Sequence, residues 1–128
     1  MRPVRVFHLD LGGCGACAAE VWAAIEGAKE LARVAMPSEA DVVALTGSVT
    51  PLSRPAVQAL WSELWSGRVP VVAIGRCAID GYPFGQGGLG ALPEVVAQAR
   101  ITACPPQPEL VVQILLQATG REHLWNRR

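Results

Sequence analysis

The sequence predicts an α/β fold, in which a single doubly wound parallel sheet carries helices on both faces. Strand-like apolar runs alternate with helical patterns along the whole length of the chain. One run, Asp41–Leu45, is apolar at every position after the first, which is typical of a parallel strand covered on both faces. The chain has 128 residues, and neither a repeat nor a linker divides it. We therefore expect residues 1–128 to form one domain.

The first predicted strand leads through a glycine turn into the first predicted helix. The strand covers Val4–Asp10, and Gly12 and Gly13 interrupt it. Residues 18–30 are rich in helix-forming side chains, and their apolar residues recur at helical spacing. Two thiols lie between the glycine turn and this helix.

The remaining predicted elements keep the same alternation. They are a weak strand at Leu31–Ala35, a turn at Pro37–Glu39, the strand at Asp41–Leu45, a helix opened by Ser53 and Pro55 and ended by Gly67, a strand at Val69–Ile74, a glycine-rich loop at Gly81–Gly90, a short strand at Ile101–Ala103, and a helix from Pro108 that Gly120 ends. The last helix is expected to bury Leu110, Val111, Ile114, Leu115 and Ala118. This order of elements predicts a flavodoxin-like sheet.

Composition excludes several classes of protein. The formal net charge is zero, from 11 basic and 11 acidic residues, which argues against a general nucleic-acid binder. No apolar run approaches the roughly 20 residues of a membrane-spanning helix, and the start of the chain does not resemble a secretory signal. Charged residues make up only 17%, below the roughly 25% of an average domain. This low charge content suits a chain that is partly covered by partner proteins.

Each cysteine segment follows a predicted strand. Cys14 and Cys17 follow the first strand, Cys77 follows Val69–Ile74, and Cys104 follows the short strand near residue 101. Because the carboxyl ends of parallel strands share one edge of a sheet, we expect the four thiols to converge there. A set of four cysteines suits zinc or an iron–sulfur cluster. The 26 residues between Cys77 and Cys104 fit a zinc ribbon less well than a larger cluster.

The neighbours of the thiols favour a negatively charged cluster. The CxxC pair lies at a predicted helix N-terminus, where the helix dipole favours thiolate, and Arg76 adjoins Cys77. Three alternatives remain open: two disulfides, buried inert thiols, and a thioredoxin-like redox motif built on Cys14 and Cys17. The redox motif leaves Cys77 and Cys104 without a role.

Four strings in register resemble one known family. They are GCGACAAE at residues 13–20, LTGSVT at 45–50, GRCAIDGYPFG at 75–85 and CPPQPE at 104–109. They are similar to segments of the small subunit of nickel–iron (NiFe) hydrogenases and of the related 20 kDa-type subunit of NADH–quinone oxidoreductase. The two-residue spacing between Cys14 and Cys17 resembles the hydrogenase branch, since the quinone oxidoreductase subunit has adjacent cysteines there. The chain is most similar to the small subunit of the energy-converting, membrane-associated type.

This resemblance implies an electron-transfer subunit of an oxidoreductase complex, which alone is not catalytic. Cys14, Cys17, Cys77 and Cys104 would bind one 4Fe-4S cluster, proximal to a NiFe site in a separate large subunit. The further partners would be a ferredoxin-like iron–sulfur subunit and membrane subunits, with no nucleic acid. The location would be cytoplasmic, peripheral to the inner face of the cell membrane.

The resemblance also implies a role for Glu20, which matches an acidic position implicated in proton transfer. From the residues alone, we expect this carboxylate in the first helical turn, where the helix dipole favours it. Two other functions stay open: a cluster subunit of an NADH–quinone oxidoreductase-like complex, and a thiol–disulfide oxidoreductase. His8 is expected to be a solvated or core histidine, and Asp10 a strand-end turn residue.

Overall fold

The computed structural model describes residues 2–12, 15–47, 52–79, 97–101 and 106–121, and for Arg76 and Cys77 only the backbone. The strands are β1 (Val4–Asp10), β2 (Leu31–Arg33), β3 (Val42–Thr46), β4 (Val71–Ile74) and β5 (Ala99–Ile101). The helices are α1 (Ala16–Gly27), α2 (Arg54–Leu60), α3 (Arg76–Ile79) and α4 (Pro108–Ala118). A 3-10 turn covers Pro37–Glu39, and a π-helical segment, Trp61–Trp65, continues α2.

The five strands form one parallel sheet in the order β2-β1-β3-β4-β5. This is the strand order of flavodoxin-like folds, and it confirms the predicted fold class. In such sheets the ligand site lies where the strand order reverses, between the carboxyl ends of β1 and β3. The register pairs Asp10 with Thr46 at that point.

Two apolar clusters cover the two faces of the sheet. On one face, α1 and α4 pack on alternate residues of β1 and β3, among them Val6 and Val42. On the other face, α2 and the π-helical segment cover residues such as Val43 and Leu45. All five side chains of β3 are buried, as expected for a central parallel strand.

The π-helical segment was not predicted, because its apolar residues keep the spacing of an ordinary helix. Trp65 is 2% exposed, packs on Phe7 with ring centroids 6.1 Å apart, and donates an Nε1–H hydrogen bond to the Pro37 carbonyl. This tryptophan therefore packs against the sheet. The ring lies between β1 and the 3-10 turn, so the segment anchors that face.

Two other predictions need correction. The last helix buries Val112 and Leu116, whereas Leu110 is 37% exposed, so its buried face is rotated from the predicted one. The last strand, Ala99–Ile101, begins two residues before the predicted start at Ile101, and residues 102 and 103 of the predicted strand lie outside the described part of the chain. The predicted loop at Gly81–Gly90 also lies outside it.

Candidate functional site

The segments that carry the cysteines leave the sheet at one edge. Cys17 is the second residue of α1, which follows β1, and Cys77 is the second residue of α3, which follows β4. Cys104 comes three residues after the end of β5. Cys14 and Cys104 lie outside the described residues, and of Cys77 only the backbone is described. Convergence of the four sulfur atoms therefore stays a prediction.

The lengths of these segments fit such a convergence. Parallel strands are spaced by about 4.8 Å, so the ends of β1 and β5, three spacings apart, are separated by about 14 Å. Three residues of extended chain reach about 10 Å. Cys77 and Cys104 each lie three residues beyond the last residue of their strand, and Cys14 lies four residues beyond Asp10. If extended, the segments before Cys14 and Cys104 are thus long enough to reach a point above the end of β4, beyond which α3 carries Cys77.

Backbone contacts tie the starts of these segments together. The Gly75 N–H donates to the Ile101 carbonyl at 2.8 Å, which joins the exit of β4 to the exit of β5. The Leu11 N–H donates to the Thr46 carbonyl at 2.9 Å, which joins the exit of β1 to the exit of β3. A Cβ built on Gly47 would lie 2.5 Å from the Gly12 oxygen, so these two turns are in close contact. The edge is therefore fixed on both sides of the predicted cluster.

The surroundings of Cys17 suit a metal-bound thiolate. The residue is 7% exposed and belongs to the apolar cluster between α1 and the sheet. It lies in the first turn of α1, which begins after Gly15 in the left-handed conformation. A helix N-terminus stabilises negative charge, and an apolar shell around a metal site controls its access to solvent and its redox potential. The environment of this one predicted ligand fits an iron–sulfur cluster.

Glu20 lies outside the first turn of α1, which contains no acidic residue. The helix begins at Ala16, so Glu20 is its fifth residue. The prediction that the helix dipole stabilises this carboxylate is therefore wrong, because the effect of the dipole fades beyond the first turn. Glu20 is half-buried and follows Cys17 by three residues, which puts the two side chains on neighbouring positions of one helix surface.

A polar chain at the switch point between β1 and β3 was not predicted. The His8 Nε2 lies 2.8 Å from the Thr46 Oγ1, and the Thr46 hydroxyl donates to the Asp10 Oδ1 at 3.1 Å. The same Asp10 oxygen accepts a hydrogen bond from the Gly12 N–H at 3.2 Å. Asp10 is thus the turn residue predicted from sequence, but it is also joined to a partner 36 residues away. A threonine at the end of an otherwise apolar buried strand is the signal that would have drawn attention to this position.

The pKa of His8 is lowered from its ordinary value. Burial is the main cause, the Asp10 carboxylate opposes it, and the Arg33 guanidinium adds to it. The imidazole is therefore held in its neutral form at neutral pH.

Three of the four cysteine side chains lie outside the described set. Within that set, no three His, Cys, Asp or Glu side chains gather into a metal-binding group. The donor chemistry nonetheless fits: four cysteines occur, all follow strands that end at one edge, and thiolates are the usual ligands of iron–sulfur clusters. None of the helices in the described ranges is long and apolar enough to cross a membrane.

The chain is similar to subunits of several oxidoreductase complexes. It is 29% identical over 119 residues to a probable membrane-bound hydrogenase subunit of Pyrococcus furiosus, covering 87% of this chain and 71% of the relative. It is 31% identical over 115 residues to an NADH-quinone oxidoreductase subunit of Roseiflexus sp., covering 81% of this chain and 42% of that protein. Formate hydrogenlyase subunit 7 of Escherichia coli is 26% identical over 129 residues, with 93% of this chain and 49% of that protein covered.

A solved structure supports the fold. A chain of the membrane-bound sulfane sulfur reductase, an archaeal respiratory membrane complex, superposes with a TM-score of 0.63 at 19% identity, covering 94% of this chain and 72% of that one. The family model of the NADH ubiquinone oxidoreductase 20 kDa subunit matches residues 14–118, a range that includes all four cysteines. The chain therefore belongs to the NADH ubiquinone oxidoreductase 20 kDa subunit family, a family of oxidoreductase complex subunits.

Proposed function

We propose that this chain is the electron-transfer small subunit of a membrane-bound, nickel–iron hydrogenase-type complex. The observation that carries the proposal is the common edge at which β1, β4 and β5 end, each followed by a cysteine segment. The family match and the similarity to a membrane-bound hydrogenase subunit support it.

In this proposal, Cys14, Cys17, Cys77 and Cys104 hold one 4Fe-4S cluster. When bound, such a cluster accepts and gives up one electron at a time. The apolar cluster around Cys17 keeps water from one side of the group. The start of α1 favours the reduced, more negative form, as would the charge of Arg76, which precedes Cys77 in the sequence.

The partners follow from the same proposal. A large subunit would hold the NiFe site on one side of the cluster, and a ferredoxin-like subunit would carry electrons away on the other. Membrane subunits would complete the complex on the cytoplasmic side. Glu20, half-buried and three residues beyond Cys17, is a candidate proton-transfer group for the boundary with the large subunit.

Anaerobic reconstitution of the purified chain tests the cluster. We expect about four iron and four sulfide per chain, with an absorbance that dithionite bleaches. Replacing Cys77 or Cys104 with serine should remove most of the iron, because each supplies one of four ligands. One zinc per chain, or serine variants that retain full iron loading, would contradict the proposal.

The matched control is Ala18→Ser, which places a hydroxyl beside Cys17 in the same helix without removing a thiol. This variant should load iron like the parent, and far-UV circular dichroism should be the same for all variants. The serine variants also test thiol–disulfide exchange, since a redox pair of Cys14 and Cys17 would reduce insulin without Cys77 or Cys104.

A quinone oxidoreductase-like complex is the second candidate, because relatives named for that activity match at similar identity. The cluster would be the same and the partner would differ. Nickel in the complex purified through a tag on this chain would favour the hydrogenase. Iron without nickel, together with quinone reductase activity, would favour the alternative.

A further inference from the structure

The guanidinium of Arg54, at the start of α2, lacks a hydrogen-bond acceptor. Its Nε is shielded from solvent and finds no acceptor within the described part of the chain. Among the described residues, the basic members of ion pairs are Arg2 and Arg5, so Arg54 is also without a carboxylate. Shielded donors that lack an acceptor are rare in folded proteins, and the nitrogen of Arg54 therefore requires an explanation.

The surface around Arg54 is apolar. Leu52 is 94% exposed, more than any other large hydrophobic side chain in the described ranges. Pro55 and Ala56 are exposed as well, and the first acidic residue further along this segment is Glu63. We call Leu52, Arg54, Pro55 and Ala56 the 52–56 patch. An arginine among apolar side chains is typical of the centre of a protein–protein interface.

The 52–56 patch is held in place by the structure behind it. Val57 is 2% exposed and belongs to the apolar cluster that covers this face of the sheet. Its N–H donates to the Ser53 carbonyl at 3.1 Å, and Pro55 restricts the backbone in the first turn of α2. A partner would therefore meet a preformed surface, which reduces the entropy lost on binding.

The patch borders the edge of the sheet to which the cysteine segments lead. The strand β3 ends at Thr46, and α2 begins at Arg54. In a parallel α/β fold, the helix after a strand starts near the carboxyl end of that strand. A protein bound to the patch would thus lie on the same side of the molecule as the predicted cluster.

A carboxylate is the acceptor that fits this arginine best. It can accept hydrogen bonds from the Nε and one Nη of a guanidinium at the same time. A membrane surface fits less well, because anionic lipids attract clusters of basic residues. Arg54 is the single basic residue between Arg33 and Arg68 in the sequence. The combination of one cation and an exposed leucine favours a protein partner.

We propose that Arg54 and Leu52 anchor a partner subunit that presents an aspartate or glutamate beside an apolar recess. Docking rotates the half-buried Arg54 side chain so that its Nε–H and one Nη–H both reach the carboxylate, while the recess receives Leu52. This inference rests on the proposed function, because it treats the chain as one subunit of a complex. It adds a docking point that involves neither the cysteines nor Glu20.

Urea unfolding of the free chain is the first test. Arg54→Met keeps the apolar stem and removes the donor that lacks an acceptor, so its urea midpoint should equal or exceed that of the parent. The matched control is Arg5→Met, which loses the guanidinium hydrogen bonds to Asp41 at 3.2 and 3.4 Å and should have a lower midpoint. A lower midpoint for Arg54→Met would show that this guanidinium stabilises the chain itself, and would overturn the proposal.

Photo-crosslinking from position 52 identifies the partner. Benzoylphenylalanine replaces Leu52, and the complex is purified through a tag on this chain. We expect crosslinks to one other subunit, in a segment that contains an aspartate or glutamate. Crosslinks confined to lipid, to a second copy of this chain or to segments without an acidic residue would overturn the proposal.

Binding of the crosslinked subunit to variants of the full chain measures the anchor. Arg54→Gln and Leu52→Ser should each weaken binding by at least about 30-fold, as expected at the centre of an interface. Arg54→Lys keeps the charge without the planar fork and should lose about tenfold. Arg68→Gln, at an exposed arginine beyond the π-helical segment, should bind like the parent. Parent-like binding by Arg54→Gln would refute the anchor.

The two proposals fail in different ways. A parent chain that binds no iron refutes the proposed cluster, and it leaves the urea and crosslinking results for the 52–56 patch intact. A chain that loads iron, but whose binding to its partner is insensitive to Arg54 and Leu52, refutes only the anchor.

Discussion

Gly47 is the residue where the turn after β3 meets the turn after β1. Its φ is +84°, in the left-handed region, and a Cβ would approach the Gly12 backbone to 2.5 Å at the oxygen and 2.6 Å at the nitrogen. Both the left-handed φ and the close contact disfavour a side chain at position 47. The close contact is with the backbone of Gly12, which precedes Cys14 by two residues. The glycine therefore sets the geometry of the predicted cluster edge as well as its own turn.

We predict that Gly47→Ala lowers the free energy of unfolding by more than about 2 kcal/mol, since the strained backbone and the contact with Gly12 both contribute. Gly120→Ala has a similar φ of +74° with no atom near the added Cβ, so it should lose only about 1 kcal/mol. Urea unfolding of the two variants measures both values. Equal losses would show that the contact between the turns contributes nothing.

The candidate site was predictable only in part at the level of residues. The four cysteines could be proposed as ligands from sequence because each follows a strand-like run, and the observed sheet order makes those strands end at one edge. The polar chain of His8, Thr46 and Asp10 could not be predicted, because Thr46 lies 38 residues from His8 and nothing local marks the two as partners. Such a pairing depends on strand register, which the sequence pattern leaves undetermined.

At the scale of elements, strands were predicted more accurately than helix faces. The bounds of β1 were predicted to the residue, because apolar residues recur along it and Gly12 and Gly13 follow its end. The bounds of β3 were displaced by one residue, because a continuous apolar run has few alternative placements. In α4 nearly every residue between Leu110 and Leu116 is apolar, so helical spacing alone did not determine which of them face the sheet. Packing against α1 and the sheet decides the rotation of the helix.

The rotation of α4 gives a paired prediction. Leu115 is 0% exposed, whereas Leu110 is partly exposed in the first turn of the same helix. Leu115→Ala should lower the free energy of unfolding by about 2–5 kcal/mol, and Leu110→Ala by less than about 1 kcal/mol. Chemical denaturation measures both losses. A larger loss of stability in Leu110→Ala than in Leu115→Ala would contradict this burial and support the buried face predicted from sequence.

At the scale of the whole molecule, the two edges of the sheet have different tasks. The carboxyl edge carries the cysteine segments and the polar chain of His8, Thr46 and Asp10, while the amino edge is held by an ion pair between β1 and the residue before β3. The Asp41 carboxylate accepts hydrogen bonds from the Arg5 backbone N–H at 2.9 Å and from its guanidinium at 3.2 and 3.4 Å. The dependence of stability on acid pH can therefore be tested with substitutions at the amino edge, without changing residues at the carboxyl edge.

Asp41 is expected to make the stability of the fold depend on acid pH. Burial tends to raise its pKa, but the hydrogen bonds from Arg5 and the charges of Arg5 and Arg2 outweigh burial and hold the pKa below its ordinary value. A carboxyl whose pKa is lowered by folding stabilises the folded state above its unfolded pKa. This contribution is lost as the pH falls through the lower, folded pKa.

We predict that Asp41→Asn is less stable than the parent by about 1–2 kcal/mol at neutral pH, since hydrogen bonds to a charged group are lost. Below about pH 4 the difference should shrink, because the parent carboxyl then becomes protonated as well. Urea unfolding of both proteins across this pH range measures the effect. Glu39→Gln, which neutralises an exposed carboxylate two residues earlier, should stay within about 0.5 kcal/mol of the parent at neutral pH. A difference between Asp41→Asn and the parent that is the same at every pH would show that Asp41 acts through its shape and packing, and not through its charge.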